Sequence, residues 1–194
     1  MSFMCSQDSC DSSRRERGFS VMELMTVTAI LMLTAGLATY GLQSFLRSYR
    51  TGSDARSIAS QVSLARMRAA SSFTRARVTF DTAARSYQIE LQNKATGAWS
   101  VEGGTYFLSQ GVSFGAGGVT TPAGGTEQTP IVNPPPPIIF NSRSTPVDSG
   151  FNAGVNYAVY LTNNDGLTYG VTVSRTGRVS LSEYVLSLSD WRTR

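Results

Sequence analysis

Residues 18–41 read GFSVMELMTVTAILMLTAGLATYG, a near-continuous apolar stretch that holds one carboxylate, Glu23, near its start. Arg14, Arg15 and Arg17 stand just before it. As an α-helix, Phe19–Leu42 spans about 36 Å at 1.5 Å per residue, enough to cross a hydrocarbon core of roughly 30 Å. The stretch therefore predicts a membrane-crossing helix over residues 19–42. The arginines ahead of it predict a cytoplasmic N-terminus, with the rest of the chain carried across. An ionisable group inside such a segment costs about 2.5–3.5 kcal/mol on insertion scales, so Glu23 reads as a functional residue.

Residues 1–18 are polar and contain no apolar core ahead of Gly18. An ordinary secretory signal places its apolar core before the cleavage site; here it comes after. The residues Gly18-Phe19-Ser20-Val21-Met22-Glu23 resemble the processing site of type IV prepilins and type II secretion pseudopilins. That resemblance implies a leader peptide over 1–18, cut between Gly18 and Phe19, with the apolar helix left on the mature chain and Phe19 N-methylated. It also implies that Glu23 serves assembly. The spacing is compatible with this, because Glu23 is four residues after Phe19 and on the same helical face. A negative charge in the first turn also suits the helix dipole. If a neighbouring helix is offset along a bundle, its Glu23 can pair with the free amine of Phe19. Removing one partner of a buried pair costs about 3–5 kcal/mol, which makes such a pair a register device. An uncleaved single-pass anchor explains the hydrophobicity and the orientation but leaves Glu23 beside Gly18-Phe19 unexplained. Many pilins carry a proline near the end of the membrane half of this helix. Here that region reads Gly36-Leu37-Ala38-Thr39-Tyr40-Gly41, which suits a minor component better than a major pilin.

The chain has 194 residues, a formal charge of +4 and a pI near 9.3. Within 1–18 the three arginines balance Asp8, Asp11 and Glu16, so the excess lies elsewhere, mainly in 47–85. A solvated helix face is the ordinary reading of such a stretch, and attraction of an anionic partner or of headgroups is the alternative. Both cysteines, Cys5 and Cys10, precede Gly18, so a chain starting at Phe19 has no disulfide or thiolate chemistry. Histidine is absent, which removes the commonest general base and metal ligand and with it a Ser-His-Asp triad. No phosphate-binding loop or zinc spacing is present. The scattered acids Asp81, Glu90, Glu102, Glu127, Asp148 and Asp165 have no context for paired-carboxylate chemistry. The expectation is a non-enzymatic protein without cofactor or metal.

Past Leu42 the helical pattern continues with lower hydrophobicity. Leu42, Phe45, Leu46 and Tyr49 form one stripe, and Ala55, Ile58, Ala59, Val62, Ala65, Ala69 and Phe73 continue one at helical spacing. Gly52-Ser53-Asp54 marks a potential break, with Ser53 or Asp54 as N-cap. Residues 43–75 are thus expected to be the extramembrane part of one long helix, with its alanine-rich face on a sheet. Residues 76–194 read as β. Expected strands are Ala76–Phe80, Tyr87–Leu91, Trp99–Val101, Tyr106–Leu108, Val112–Phe114 and Ile138–Phe140. Val155–Thr162 and Leu167–Ser174 flank the hairpin signal Asn163-Asn164-Asp165-Gly166, and Arg178–Leu181 follows a turn at Arg175-Thr176-Gly177. Residues 115–137, rich in glycine and ending in Pro134–Pro137, are expected to be a largely flexible surface loop.

Ser63-Leu64-Ala65-Arg66, Val78-Thr79-Phe80, Ile138-Ile139-Phe140 and the run from Gly170 to Val179 look like the GspH/FimT group of minor pseudopilins and minor pilins. The resemblance covers most of residues 18–181. It implies an α+β, pilin-like fold: a long N-terminal membrane-spanning helix packed on a mainly antiparallel β-sheet domain. It also implies a minor subunit of a type II secretion pseudopilus or of a type IV pilus. Its partners would be a prepilin peptidase/N-methyltransferase, other pilins or pseudopilins, an inner-membrane assembly platform and the lipid bilayer. It would sit in the cytoplasmic (inner) membrane, with its C-terminal domain periplasmic or extracellular. Some FimT-like pilins are DNA receptors that use arginines around a C-terminal Gly-Arg-x-Arg motif. The matching residues are Gly177-Arg178-Val179-Ser180, so Arg178 matches and Ser180 replaces the second arginine. Arg175, Arg192 and Arg194 are candidates to supplement it, with Trp191 or Tyr184 available for stacking. Glu183 and Asp190 interrupt that patch, so DNA is the second reading.

Overall fold

The computed structural model describes residues 19–124, 134–185 and 187–193, with the backbone alone at 38–40. The expected leader over 1–18, most of the second half of the Gly/Pro-rich loop, and Arg194 lie outside the described residues. The chain divides into two compact units, Met1–Leu42 and Gln43–Arg194. Helix α1, Val21–Ser71, contributes to both.

α1 starts at a serine cap. The Ser20 hydroxyl accepts from the Met22 N–H at 3.3 Å, and its carbonyl accepts from Glu23 and Leu24 at 3.0 and 3.1 Å. Such a cap satisfies donors that a helix start leaves orphaned. The helix ends with Phe73 in a left-handed conformation (φ 48). Thr74 N–H reaches Ala69 O and Phe73 N–H reaches Ala70 O, both at 3.2 Å. That bonding pattern is a Schellman stop, here built on a phenylalanine where glycine is usual.

The helix is continuous through Gly52-Ser53-Asp54, so the expected single long helix forms without the potential break there. Tertiary contacts explain these residues instead. A Cβ at Gly52 would lie 3.3 Å from the Tyr169 hydroxyl, so the glycine admits the tyrosine to the helix surface. The Asp54 carboxylate accepts from Ser109 N–H at 2.7 Å and Ser109 Oγ at 2.9 Å, tying the helix to a loop far along the chain.

Two five-stranded antiparallel sheets complete the second unit. The first contains β1 (Ala76–Asp81), β2 (Ser86–Gln92), β3 (Trp99–Phe107), β5 (Ile138–Phe140) and β6 (Pro146–Val147), in the order β3-β2-β1-β5-β6. The second contains β4 (Val112–Phe114), β7 (Tyr157–Asn163), β8 (Thr168–Val173), β9 (Val179–Val185) and β10 (Asp190–Thr193), in the order β10-β9-β8-β7-β4. Ala55, Ile58, Val62, Ala65 and Ala69 of α1 are fully buried and share one core with Val78, Ile89, Phe140, Leu161, Val171 and Val173. Alanine at successive helical turns lets the backbone come close to the strands, while Ile58 and Val62 fill the remaining space.

Trp99–Val101 and Tyr106–Leu108, expected as separate strands, fall in one strand, β3, which ends at Phe107 and leaves Leu108 just beyond it. Its register with β2 shifts between Gln88/Thr105 and Ile89/Glu102, so Gly103-Gly104 is accommodated as a bulge, with Gly103 at φ 85. β6 and β10 were not expected from the sequence. The described part of the Gly/Pro-rich loop is anchored: Ala123 is fully buried, and its N–H donates to the Tyr160 hydroxyl at 3.0 Å. The hairpin at Asn163–Gly166 forms as expected, with Thr162 opposite Thr168 and Gly166 at φ 79. Asp165 also pairs with Arg47 at 3.4 Å, a role beyond its turn position.

Candidate assembly helix and arginine-lined surface

The first unit exposes a succession of large apolar side chains. Phe19, Met22, Leu33 and Leu37 are each more than 70% exposed, and Val21, Leu24, Met25, Val27, Ile30, Leu31 and Met32 are exposed as well. α1 is long and apolar enough to cross a membrane, and its most apolar window is not buried by protein. Three threonines here are satisfied within the helix: Thr26 donates to Glu23 O at 2.9 Å, Thr28 to Met25 O at 2.9 Å and Thr34 to Ile30 O at 3.0 Å. Glu23 is different. It is the single charged residue of 19–46, it is exposed in the first turn, and among the described residues its carboxylate has no ion-pair or hydrogen-bond partner. Phe19 is exposed just ahead of the helix; Gly18 lies outside the described residues.

In the second unit several arginines are committed to structure. Arg68 pairs with Glu102 at 3.2 Å, and Arg77 with Glu90 at 2.6 Å. Arg77 also covers the Trp99 ring at 4.3 Å. Arg75 donates to Gln92 Oε1 at 3.0 Å and covers Phe151 at 3.9 Å. With Arg47, paired to Asp165, four of the eight arginines of 47–85 are engaged in such contacts, while Arg50, Arg56 and Arg85 are exposed.

The candidate DNA-contacting residues are spread out. Arg175 and Arg178 are exposed in the β8–β9 turn. There Gly177 takes φ 82, and a Cβ on it would come within 2.6 Å of Ser144 O and 3.2 Å of Arg66 Nε. Arg192 lies on β10 opposite Glu183, roughly 16 Å along β9 from Arg178 at about 3.3 Å per residue. Arg194 lies outside the described residues. Both stacking candidates are used in packing: Trp191 is 5.6 Å from the Tyr160 ring and 5.3 Å from that of Tyr184. Its Nε1–H donates to Thr121 O at 2.8 Å. Gly170 makes room for this cluster, since a Cβ there would lie 3.2 Å from Trp191. Arg178 instead shares a groove with Arg56 of α1, a neighbour that sequence reasoning missed because it requires the tertiary fold. Its one local signal is that Arg56 falls off the buried Ala55–Ile58–Val62 stripe.

Among the described residues no group of His, Cys, Asp and Glu is arranged to hold a metal ion. The shifted titrations are structural. Burial pushes the phenols of Tyr87, Tyr157 and Tyr160 above their usual value. The Asn152 N–H holds the Asp148 carboxyl below its own.

An apolar, lipid-length helix joined to a helix-packed antiparallel β domain is the architecture of a membrane-anchored pilin-class subunit. The chain matches type II transport protein GspH over residues 54–177, and it belongs to that family. It is a minor pseudopilin/type IV pilin-class structural subunit, not an enzyme, of a kind that assembles with other pilins or pseudopilins. No curated protein matches it in sequence. Similar solved structures include the minor pseudopilin EpsH from the type 2 secretion system of Vibrio cholerae. It is 14% identical, with a TM-score of 0.47, over 68% of this chain and 95% of that one. Another is the type IV minor pilin FimU of Pseudomonas aeruginosa, 15% identical with a TM-score of 0.47, over 71% of this chain and 91% of that one.

Proposed function

We propose that this chain is a minor pseudopilin of a type II protein secretion system. A prepilin peptidase cuts it between Gly18 and Phe19 and the new N-terminus is methylated. The mature chain is held by residues 19–42 in the cytoplasmic membrane with its N-terminus cytoplasmic, and an inner-membrane assembly platform adds it to a periplasmic pilus-like filament. The helix continues outside the membrane over residues 43–71, four residues short of the expected end at 75, and 76–194 form the exported domain. The observation that carries the filament-subunit part of this reading is Glu23: an exposed carboxylate, unpartnered among the described residues, in the first turn of an apolar helix where Thr26, Thr28 and Thr34 are satisfied internally. A lone subunit gains only the helix-dipole interaction from a charge there, whereas a filament gains register if Glu23 meets the Phe19 amine of the next subunit.

The second reading is a minor type IV pilin that receives DNA through Arg175, Arg178, Arg192 and Arg194. Arg178 at the exposed Gly177 turn favours it. Ser180 in place of the second motif arginine, Glu183 beside Arg192, and the packed Trp191 weigh against it. Genes beside this one for a secretin, a secretion ATPase and other pseudopilins support the first reading; a retraction ATPase with competence genes supports the second.

Processing is tested by mass spectrometry of the membrane-extracted protein. The expected chain begins at Phe19 and carries an N-methyl group. Intact Met1–Gly18 in cells with an active peptidase contradicts the proposal.

A further inference from the structure

The face of α1 turned away from the core forms the floor of two adjoining hollows that meet at Ser63, of about 480 and 670 Å³. Small side chains, Ala59, Ser60 and Ala70, line the helix side. Three arginines stand around the floor: Arg56, Arg66 and Arg178. Unlike Arg47, Arg68 and Arg77, none of the three has an ion pair among the described residues, and no described carboxylate lines either hollow.

Among the described residues the groove also runs beside an open strand edge. There β10 pairs with β9 from Ser182 to Val185, so Val179 lies beyond the last described pair. Arg178 O accepts from Ser174 N–H, towards β8, at 2.9 Å. Backbone groups alternate sides along an antiparallel strand, so the N–H and C=O of Val179 point out into the groove. Arg56 and Arg66 are separated by about 15 Å of helix rise, roughly the length of four to five extended residues.

We infer that this groove takes an extended acidic segment of another protein subunit, which adds a short strand beside β9 at Val179 and sets carboxylates against Arg56, Arg66 and Arg178. Strand addition supplies backbone hydrogen bonds, and the flanking charges select the segment. A strand has alternate residues on one face, so acids about four positions apart match the arginine spacing. The inference is independent of whether the filament serves secretion or a pilus.

The test uses the full chain in detergent micelles and a short, labelled Thr/Val peptide with two glutamates roughly four positions apart, read by fluorescence anisotropy. The peptide is expected to bind, and lysine in place of its glutamates is expected to abolish binding. Arg56→Gln with Arg178→Gln should weaken binding at least about tenfold; both side chains are exposed, so the fold should survive. N-methylation of the peptide backbone at alternate residues should weaken binding to a similar degree and cannot disturb the protein. Failure of the acidic peptide to bind overturns the inference, as does binding insensitive to backbone methylation. Equal binding of an oligonucleotide of the same charge, lost in the double variant, also overturns it and assigns the arginines to nucleic acid.

Discussion

The two halves of α1 differ in what their apolar residues face. Up to Leu37 they lie on all sides and are exposed, whereas in the second half Ala55, Ile58, Val62, Ala65 and Ala69 form one stripe that is fully buried. A helix that is apolar all round needs lipid or other helices as its surroundings. A helix with one stripe finds its partner in its own domain. The polar residues differ likewise. Asp54 and Ser57 in the second half bond to Ser109 and Tyr87, while Glu23 in the first half is unpartnered among the described residues. One helix thus joins a segment left open by its own chain to a segment completed by it.

The sharpest way to break this comparison is to trim one apolar residue from each half. Ile58→Ala, in the buried stripe, should destabilise the β domain by about 2–5 kcal/mol. Leu31→Ala, at an exposed site, should leave domain stability unchanged within about 0.5 kcal/mol. Denaturant unfolding of the full chain in detergent, followed by tryptophan fluorescence, measures both. Equal effects would show that the two halves are not distinct.

The glycines sharpen it further. Gly52 faces Tyr169, whereas Gly36 has open space where a Cβ would be. Gly52→Leu should cost about 1–3 kcal/mol through overpacking. Gly36→Leu should leave the domain unaffected and favour the helix by a few tenths to about 1 kcal/mol. The same unfolding experiment, with helical circular dichroism added, separates the outcomes.

Much of this contrast was legible in the sequence, because helical periodicity and an uninterrupted apolar run are local signals. The Asn163–Gly166 hairpin was legible for the same reason. Gly52 and Asp54 leave a break possible because glycine and a capping acid usually mark one, and it is Tyr169 and Ser109, distant in the chain, that explain them as helix-interior residues. β10 was missed because its stability comes from Trp191 packing on Tyr160 and Tyr184. The lone tryptophan in a polar tail was its one signal. Gly103-Gly104 was taken as a strand boundary because a bulge and a loop look alike until the partner strand is known. At the candidate site, Glu23 stood out in the sequence, whereas the pairing of Arg56 with Arg178 in one groove depends on tertiary placement.

The smallest effect concerns pH and should belong to the second unit alone. Asp148 has its carboxyl lowered from its ordinary value near 3.8 by the Asn152 N–H. A lowered folded-state value contributes stability above the unfolded one and loses it as pH falls through the folded one. Thermal melts between about pH 5 and pH 2 should therefore show a shallower acid decline for Asp148→Asn than for the parent chain. An unchanged acid limb would remove Asp148 from the account.

The first half of α1 is most directly tested by Glu23→Ala in cells that carry the assembly machinery, with the membrane and filament fractions assayed separately. Losing the carboxylate makes the segment more apolar, so membrane insertion should be retained or improved. Register against the Phe19 amine of a neighbour should be lost, so the variant should accumulate in the membrane and be depleted from cross-linked filaments. Recovery of Glu23→Ala in filaments at the parent level would contradict the claim that this helix is completed by its neighbours through Glu23.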